Sequence, residues 1–134
     1  MAILEVNYVA VLVATIASFA FGALWYGALF SKAWLKAIGK SEEDLKRSVT
    51  PMVVTFVAQL VMATMLYGIL VHVGIGGIRA GIMSGVMIWA GFVLTSMIIN
   101  HAFQGAKPML TLIDGGHFLG VLIIMGGILG AFGV

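Results

Sequence analysis

The sequence predicts an all-α integral membrane protein, a four-transmembrane-helix bundle with a short amphipathic cytoplasmic helix between spans 1 and 2. Of the 134 residues, 62% are hydrophobic and only 9% are charged, too few polar side chains to cover a soluble globule of this size. The apolar residues form runs near the roughly 20 residues that a helix needs to cross a bilayer. These runs are apolar on every side, whereas strands of a membrane barrel alternate apolar and polar residues.

Four runs supply the predicted spans, at residues 7–30, 50–72, 79–103 and 109–133. The first run follows Glu5 instead of a basic segment and exceeds the ~7–15 apolar residues of a signal peptide, so we expect a retained anchor. We find no internal repeat and no linker that divides the chain. A single transmembrane domain, 1–134, is therefore expected.

The segment 31–49 is predicted to lie at the membrane surface. Ser41 and Asp44 have the spacing of a capping box, and Thr50-Pro51 is typical of a helix start. The preceding residues fit a short headgroup-level helix, with an apolar side and a basic side. The apolar side has Trp34, Leu35 and Ile38, and the basic side has Lys32, Lys36 and Lys40.

Positive charge is concentrated in the first and third connections. The positive-inside rule then places these connections in the cytoplasm and both termini outside. Contact with anionic lipid is the expected role of these side chains. The net charge of +2 is too small to predict nucleic acid as a partner. The residues concerned are Lys32, Lys36, Lys40, Lys46, Arg47 and Lys107, and the other face has only Arg79.

Small residues recur along the third and fourth spans in steps of four and three. Such stripes let helix backbones approach closely, which drives helix association in lipid. We expect them to pack helices and to support a homo-oligomer or contact with another membrane protein. The glycines predicted to pack are Gly81, Gly91, Gly116, Gly120, Gly127 and Gly130.

The few polar side chains of the spans are expected to converge in the cytoplasmic half of the bundle. At ~100° per residue, Asp114 and His117 lie within about 60° of each other on the fourth helix. A central carboxylate facing lipid would cost of order 2.5–3.5 kcal/mol, so the pair should face protein or water. The predicted intramembrane cluster is Asp114, His117, Gln59, Asn100, Trp25 and Tyr26.

Three interpretations of this cluster stay open. The first is a hydrogen-bond network that fixes helix register. The second is a proton- or solute-responsive site in which the Asp–His pair titrates near neutral pH. The third, a metal or haem site, has a thin ligand set and no cysteine to add to it. No metal and no cofactor are therefore expected.

Enzyme signatures are absent from the sequence. There is no HExxH, no GxSxG and no phosphate loop, and the GIGGIRAG stretch begins an apolar span with no preceding strand. We therefore expect no enzymatic activity.

Two stretches, FGALWYGALFSKAWLKAIGKS and LIDGGHFLGVLIIMGGILGAF, resemble a family of small four-helix bacterial and archaeal membrane proteins known as domain of unknown function 1761. The resemblance implies the four-span fold and a location in the cytoplasmic (inner) membrane, and it implies no activity. Ala28 stands where the family pattern favours proline, and His117 where tyrosine is usual. The matching positions are Gly22, Leu24, Trp25, Tyr26, Gly27, Leu29, Phe30, Trp34, Leu112, Ile113, Asp114, Gly116, His117 and Leu119.

These observations lead to two functional hypotheses. The first is a small oligomeric membrane protein of channel or transporter type, with the polar cluster as a proton-responsive site in the cytoplasmic half. The alternative is a non-catalytic accessory or scaffold subunit that packs against a larger membrane complex.

Overall fold

The computed structural model describes residues 5–45 and 48–133 and contains no strand within them. Four helices are long and apolar enough to cross a membrane, which confirms the predicted fold class. We call them span 1 (Tyr8–Leu29), span 2 (Thr50–Val73), span 3 (Ile78–Gln104) and span 4 (Pro108–Ala131).

Spans 1 and 3 are not α-helical throughout. Span 1 joins α1 (Tyr8–Leu24) to a π-helical turn (Trp25–Leu29), and span 3 joins α4 (Ile78–Ile88) to α5 (Leu94–Gln104) through a second π-turn (Trp89–Val93). Each π-turn begins at a tryptophan, and such turns frequently occur at functional sites. The remaining helices are α2 (Ser31–Ile38), α3 (span 2) and α6 (span 4), with a 3₁₀ turn at Glu42–Asp44.

Local sequence signals set the helix ends. The Asn7 side chain accepts a hydrogen bond from the Ala10 N–H at 3.1 Å and so caps span 1. Pro51 and Pro108 lie in the first turns of spans 2 and 4, where a missing N–H costs nothing. Helix α3 already includes Thr50, so its N-cap is Val49 and not the threonine that the Thr50-Pro51 pattern predicts.

The connection between spans 1 and 2 contains the predicted capping box. Asp44 accepts hydrogen bonds from the backbone N–H and the hydroxyl of Ser41, both at 2.9 Å. These bonds hold the pKa of the Asp44 carboxyl below its usual value, the backbone bond most strongly. Helix α2 buries Leu35 and Ala37, and its cytoplasmic location stays a prediction. The predicted basic residues Lys46 and Arg47 lie outside the described residues.

Span 4 lies at the centre of the bundle. In the most apolar part of span 4, 44% of the residues are buried, whereas only 6% are buried in the corresponding part of span 3. Span 4 packs chiefly on α4 and α1, and span 2 packs chiefly on α1. The spans therefore follow one another in space in the order 2, 1, 4, 3. The core between them comprises Ala10, Val11, Ala14, Ala63, Leu66, Leu70, Val121, Leu122, Met125 and Leu129.

The closest backbone approach joins spans 3 and 4. A Cβ added at Gly81 would lie 2.8 Å from the carbonyl carbon of Gly126, and one at Gly130 would lie 2.6 Å from that of Gly77. At these separations only glycine fits without a backbone shift. Gly85 and Gly126 belong to this contact, although the sequence did not single them out.

The other glycines predicted to pack have different neighbours. Gly116 lies under the Trp25 ring and Gly120 under the Phe21 ring, so both face span 1. Gly127 is in ordinary contact with Ile82, at 3.4 Å for an added Cβ. Gly91 lies in the π-turn of span 3 and has no described atom within 4 Å of an added Cβ.

Candidate functional site

The two stretches that carry the family resemblance contact each other at one level of the bundle. The indole N–H of Trp25 donates to the backbone carbonyl of Ile113 at 3.1 Å. The neighbouring Tyr26 hydroxyl donates to Asp114 Oδ1 at 2.6 Å, a charge-assisted bond if the carboxylate is ionised. Asp114 thereby gains a donor inside the membrane, where an unpaired carboxylate is costly.

Span 3 binds the same stretch of span 4 through its own tryptophan. The Trp89 indole N–H donates to the carbonyl of Gly115 at 2.8 Å. A helical carbonyl retains a second lone pair for such a bond. On the span 1 side, a Cβ at Gly116 would lie 3.0 Å from Trp25 Cζ2. Gly116 therefore makes room for the Trp25 indole, whereas an added Cβ at Gly115 would lie 3.1 Å from Leu94 Cδ1.

His117 is buried between aromatic rings instead of pairing with Asp114. Its ring centroid lies 4.9 Å from that of Tyr26 and 6.0 Å from that of Phe21, with the Phe21 ring stacked. Gly22 makes room for it, because a Cβ there would lie 2.9 Å from Nε2. Within the described chain, neither ring nitrogen of His117 has a hydrogen-bond partner.

Gln59 and Ser18 are also buried without a described partner for their side-chain polar atoms, and Gln59 is the larger group. Its side chain is 2% exposed, and both its amide nitrogen and its amide oxygen lack partners among the described residues. Most buried polar groups in proteins are hydrogen-bonded, so each exception asks for an explanation.

Gln59, His117 and Tyr26 line one cavity between spans 1, 2 and 4. Its volume is about 440 Å³, within the range of small-molecule sites. The three are its only lining residues with an amide, imidazole or phenol among those described; Thr55 adds a hydroxyl that is bonded to the Pro51 carbonyl at 2.7 Å. The apolar lining includes Phe19, Gly22, Ala23, Met52, Val54, Ala58, Met62 and Phe118.

The six residues of the predicted intramembrane cluster therefore lie at different places relative to this cavity. Tyr26, Gln59 and His117 line the cavity, and Asp114 and Trp25 adjoin it through the contacts above. Asn100 lies on an exposed face of α5 and is not a lining residue. A hydrogen-bond network among Asp114, His117, Gln59 and Asn100 is not present in the part of the chain that the structure describes.

Two contacts of this site were not predicted from the sequence. Gly22 was identified as a family position, but its role in giving His117 space was not, because a glycine carries no signal of the side chain that will face it. The Trp89 bond had a usable signal, because an indole N–H within an apolar span must find an acceptor.

A second cavity, of about 680 Å³, lies between the later part of span 3 and span 4. Its polar lining includes His101 and Thr111, whose Nδ1 and Oγ1 atoms are 2.7 Å apart and satisfy each other. Unlike the first cavity, it presents no described polar side chain that is buried without a partner. Among the described residues, no group of three or more His, Cys, Asp or Glu side chains is placed to hold a metal ion.

Comparison with known proteins places the chain in a family. The family model described as "Protein of unknown function (DUF1761)" matches residues 9–130, a range that contains both π-turns and the whole lining of the first cavity. No curated protein and no solved structure matches the chain. With its helices able to span a membrane and a match over nearly its full length, the chain belongs to the DUF1761 family.

Proposed function

We propose that this protein is a membrane-embedded carrier of transporter type that binds a small molecule in the cavity lined by Tyr26, Gln59 and His117. One observation carries the proposal: the Gln59 amide and the His117 imidazole are buried in the wall of a cavity without described partners. A buried unpaired polar group costs about 1–3 kcal/mol, so a bound molecule that pairs with these groups recovers that free energy.

The character of the wall favours a bound molecule over a conducted ion. Phe19, Met62 and Phe118 form much of the lining, and the nearby carboxylate of Asp114 is engaged by the Tyr26 hydroxyl. An ion pathway needs carbonyls or charged side chains that replace water around the ion.

The predicted proton response is part of this proposal. Histidine titrates near neutral pH when unperturbed, and His117 shares the cavity with Gln59. Ligand binding is coupled to a proton on His117 in this proposal, so ligand affinity will vary with pH in the wild type. The variation will be absent in His117→Phe, which keeps an aromatic ring of similar size.

A cavity-filling variant tests the proposal. Ala58 and its neighbour Val57 are both exposed, but only Ala58 lines the cavity. In a thermal-shift screen of small molecules on purified protein, hits should raise the Tm of the wild type and of Val57→Trp but not of Ala58→Trp. Flux of a hit into proteoliposomes should follow the same pattern. Equal shifts in both tryptophan variants would contradict the proposed site.

A second candidate, association with another copy of the chain, is favoured by α5. None of its residues is buried within the protomer, yet it has the Asn100 amide on its surface. An amide pairs with a neighbouring helix more favourably than it faces lipid. Asn100→Leu should then lower the oligomeric mass measured by light scattering, with Gln104→Leu as the control; an unchanged mass would remove this candidate. A scaffold function would use the same surface.

We also propose the orientation expected from the lysines, with both termini outside the cytoplasmic membrane. The chain has no cysteine, so a single introduced thiol reports its own side. In intact cells, a membrane-impermeant maleimide should label Ile75→Cys, between spans 2 and 3, and leave Lys40→Cys unlabelled. The reverse pattern would invert the topology.

A further inference from the structure

We infer that the molecule held in the first cavity is neutral and lipid-soluble, carries a carbonyl or hydroxyl oxygen, and enters sideways from the bilayer past span 2. The inference rests on the proposed function and adds the chemical class of the ligand to it. Three features of the cavity lead to it: its charge, its polar groups and its mouth.

The cavity offers nothing to balance a charged ligand. None of the described lining residues is Lys, Arg, Asp or Glu. Asp114, the adjoining carboxylate, lies behind Tyr26 and accepts that residue's hydroxyl proton at 2.6 Å. Burying an unpaired charge costs far more than burying a neutral hydrogen-bonding group, so a neutral ligand is favoured.

The unpartnered groups match an oxygen. The Gln59 amide has two N–H donors and a carbonyl acceptor, and a neutral His117 ring has one donor and one acceptor. A carbonyl oxygen has two lone pairs and accepts from both residues, and a hydroxyl can also donate to either. The polar atoms of both side chains lie just behind the cavity surface. Binding therefore requires the terminal dihedrals of both Gln59 and His117 to turn, and these dihedrals have broad energy wells.

The cavity opens onto the outer surface of the helix bundle. Met52 and Val54 line it and are themselves 62% and 60% exposed, so the opening is bordered by apolar side chains on the outer face of span 2. Both residues lie in the first turns of span 2, so in a membrane this opening meets the boundary between lipid headgroups and acyl chains. The aromatic rings of Phe19 and Phe118 continue the apolar wall inward.

Photolabelling with benzophenone tests this inference directly. Benzophenone is neutral, apolar and carries one carbonyl. Under ultraviolet light its ketone oxygen takes a hydrogen atom from a C–H bond of a nearby methionine side chain, and the two carbon radicals join to form a tertiary alcohol adduct. Met62 lines the cavity, whereas Met65 on the same helix is 62% exposed and does not. Protein in lipid nanodiscs is labelled, and the adducts at the two methionines are compared by mass spectrometry.

We expect benzophenone to label Met62 in excess of the more exposed Met65. The excess should fall about two- to tenfold in Gln59→Leu, the factor that one hydrogen bond contributes, and stay unchanged in the matched control Gln104→Leu. His117→Phe gives a second reading of the same contact if Gln59→Leu folds poorly. An excess that persists in both cavity variants would overturn the assignment of the oxygen contacts.

The charged analogue 4-benzoylbenzoate separates this inference from the proposed function. Selective labelling of Met62 by the carboxylate compound, with none by benzophenone, would overturn the neutral class and leave a ligand-binding cavity. Equal labelling of Met62 and Met65 by both compounds would overturn the inference and the proposed function together. Selective labelling by benzophenone alone is the outcome that supports both.

Discussion

Replacing Gln59 by methionine should stabilise the protein. The side chain is 2% exposed, and neither amide atom has a described partner. A buried polar group without a partner costs about 1–3 kcal/mol. Methionine is unbranched, has a similar length and adapts to irregular spaces, so Gln59→Met removes the penalty without leaving a large void. We therefore expect the free energy of unfolding to rise by about 1–3 kcal/mol.

The assay is unfolding of purified protein in mild detergent, followed by circular dichroism, without added ligands. A gain of this size corresponds to about 4 °C in Tm for each kcal/mol in a chain of this length. Gln104→Met makes the same chemical change at an exposed helix end and should shift the stability by less than about 0.5 kcal/mol. A loss of stability in Gln59→Met would show that the amide holds the bundle together, and the argument for a binding site would fail.

Three other substitutions or conditions follow from the contacts. Gly81→Ala places a methyl group against a span 4 backbone carbonyl and should lower the free energy of unfolding by about 1–3 kcal/mol in the same assay. Gly91→Ala is the control, because open space surrounds that position, and it should leave the free energy of unfolding unchanged. Equal effects of the two substitutions would contradict the close approach of spans 3 and 4. Tyr26→Phe removes the only described donor to the Asp114 carboxylate and should destabilise by about 1–3 kcal/mol, and a neutral effect would show that this carboxylate has another partner. Because the pKa of Asp44 is lowered in the folded protein, its capping turn is stabilised at pH values above the ordinary aspartate pKa. This stabilisation is lost as the pH falls through the folded-state pKa. An NMR titration of the Asp44 carboxyl group with an ordinary midpoint would refute this prediction.

The spans could be predicted from the sequence because their signal is local. Length and apolar composition suffice to identify a membrane-spanning helix, and no knowledge of its neighbours is needed. The capping box at Ser41 and Asp44 was predictable for the same reason, since both partners lie within one turn. The contact between Tyr26 and Asp114 joins positions 88 residues apart. The sequence placed both at a similar depth but could not show that they face each other.

Asn100 shows why the depth of a residue along its helix is not enough to predict which residues it contacts. It was grouped with Gln59 and His117 by its distance along the helix, but depth does not fix which side of a helix a residue occupies. The π-turn at Trp89–Val93 adds to the difficulty, since its i→i+5 hydrogen bond interrupts the regular 100° step before α5 begins. Angular counting therefore holds along α6, which is unbroken from Pro108 to Ala131, and fails across span 3.

The two indole bonds to span 4 have a mechanical consequence. The indole N–H groups of Trp25 and Trp89 donate to the carbonyls of Ile113 and Gly115, so the same short segment of span 4 is hydrogen-bonded to span 1 on one side and to span 3 on the other. A rotation of this segment about the axis of span 4 would distort both hydrogen bonds at once. The first cavity adjoins the Trp25 bond, and the second cavity adjoins the Trp89 bond. We therefore expect a rotation of this backbone that alters one cavity to alter the other cavity as well.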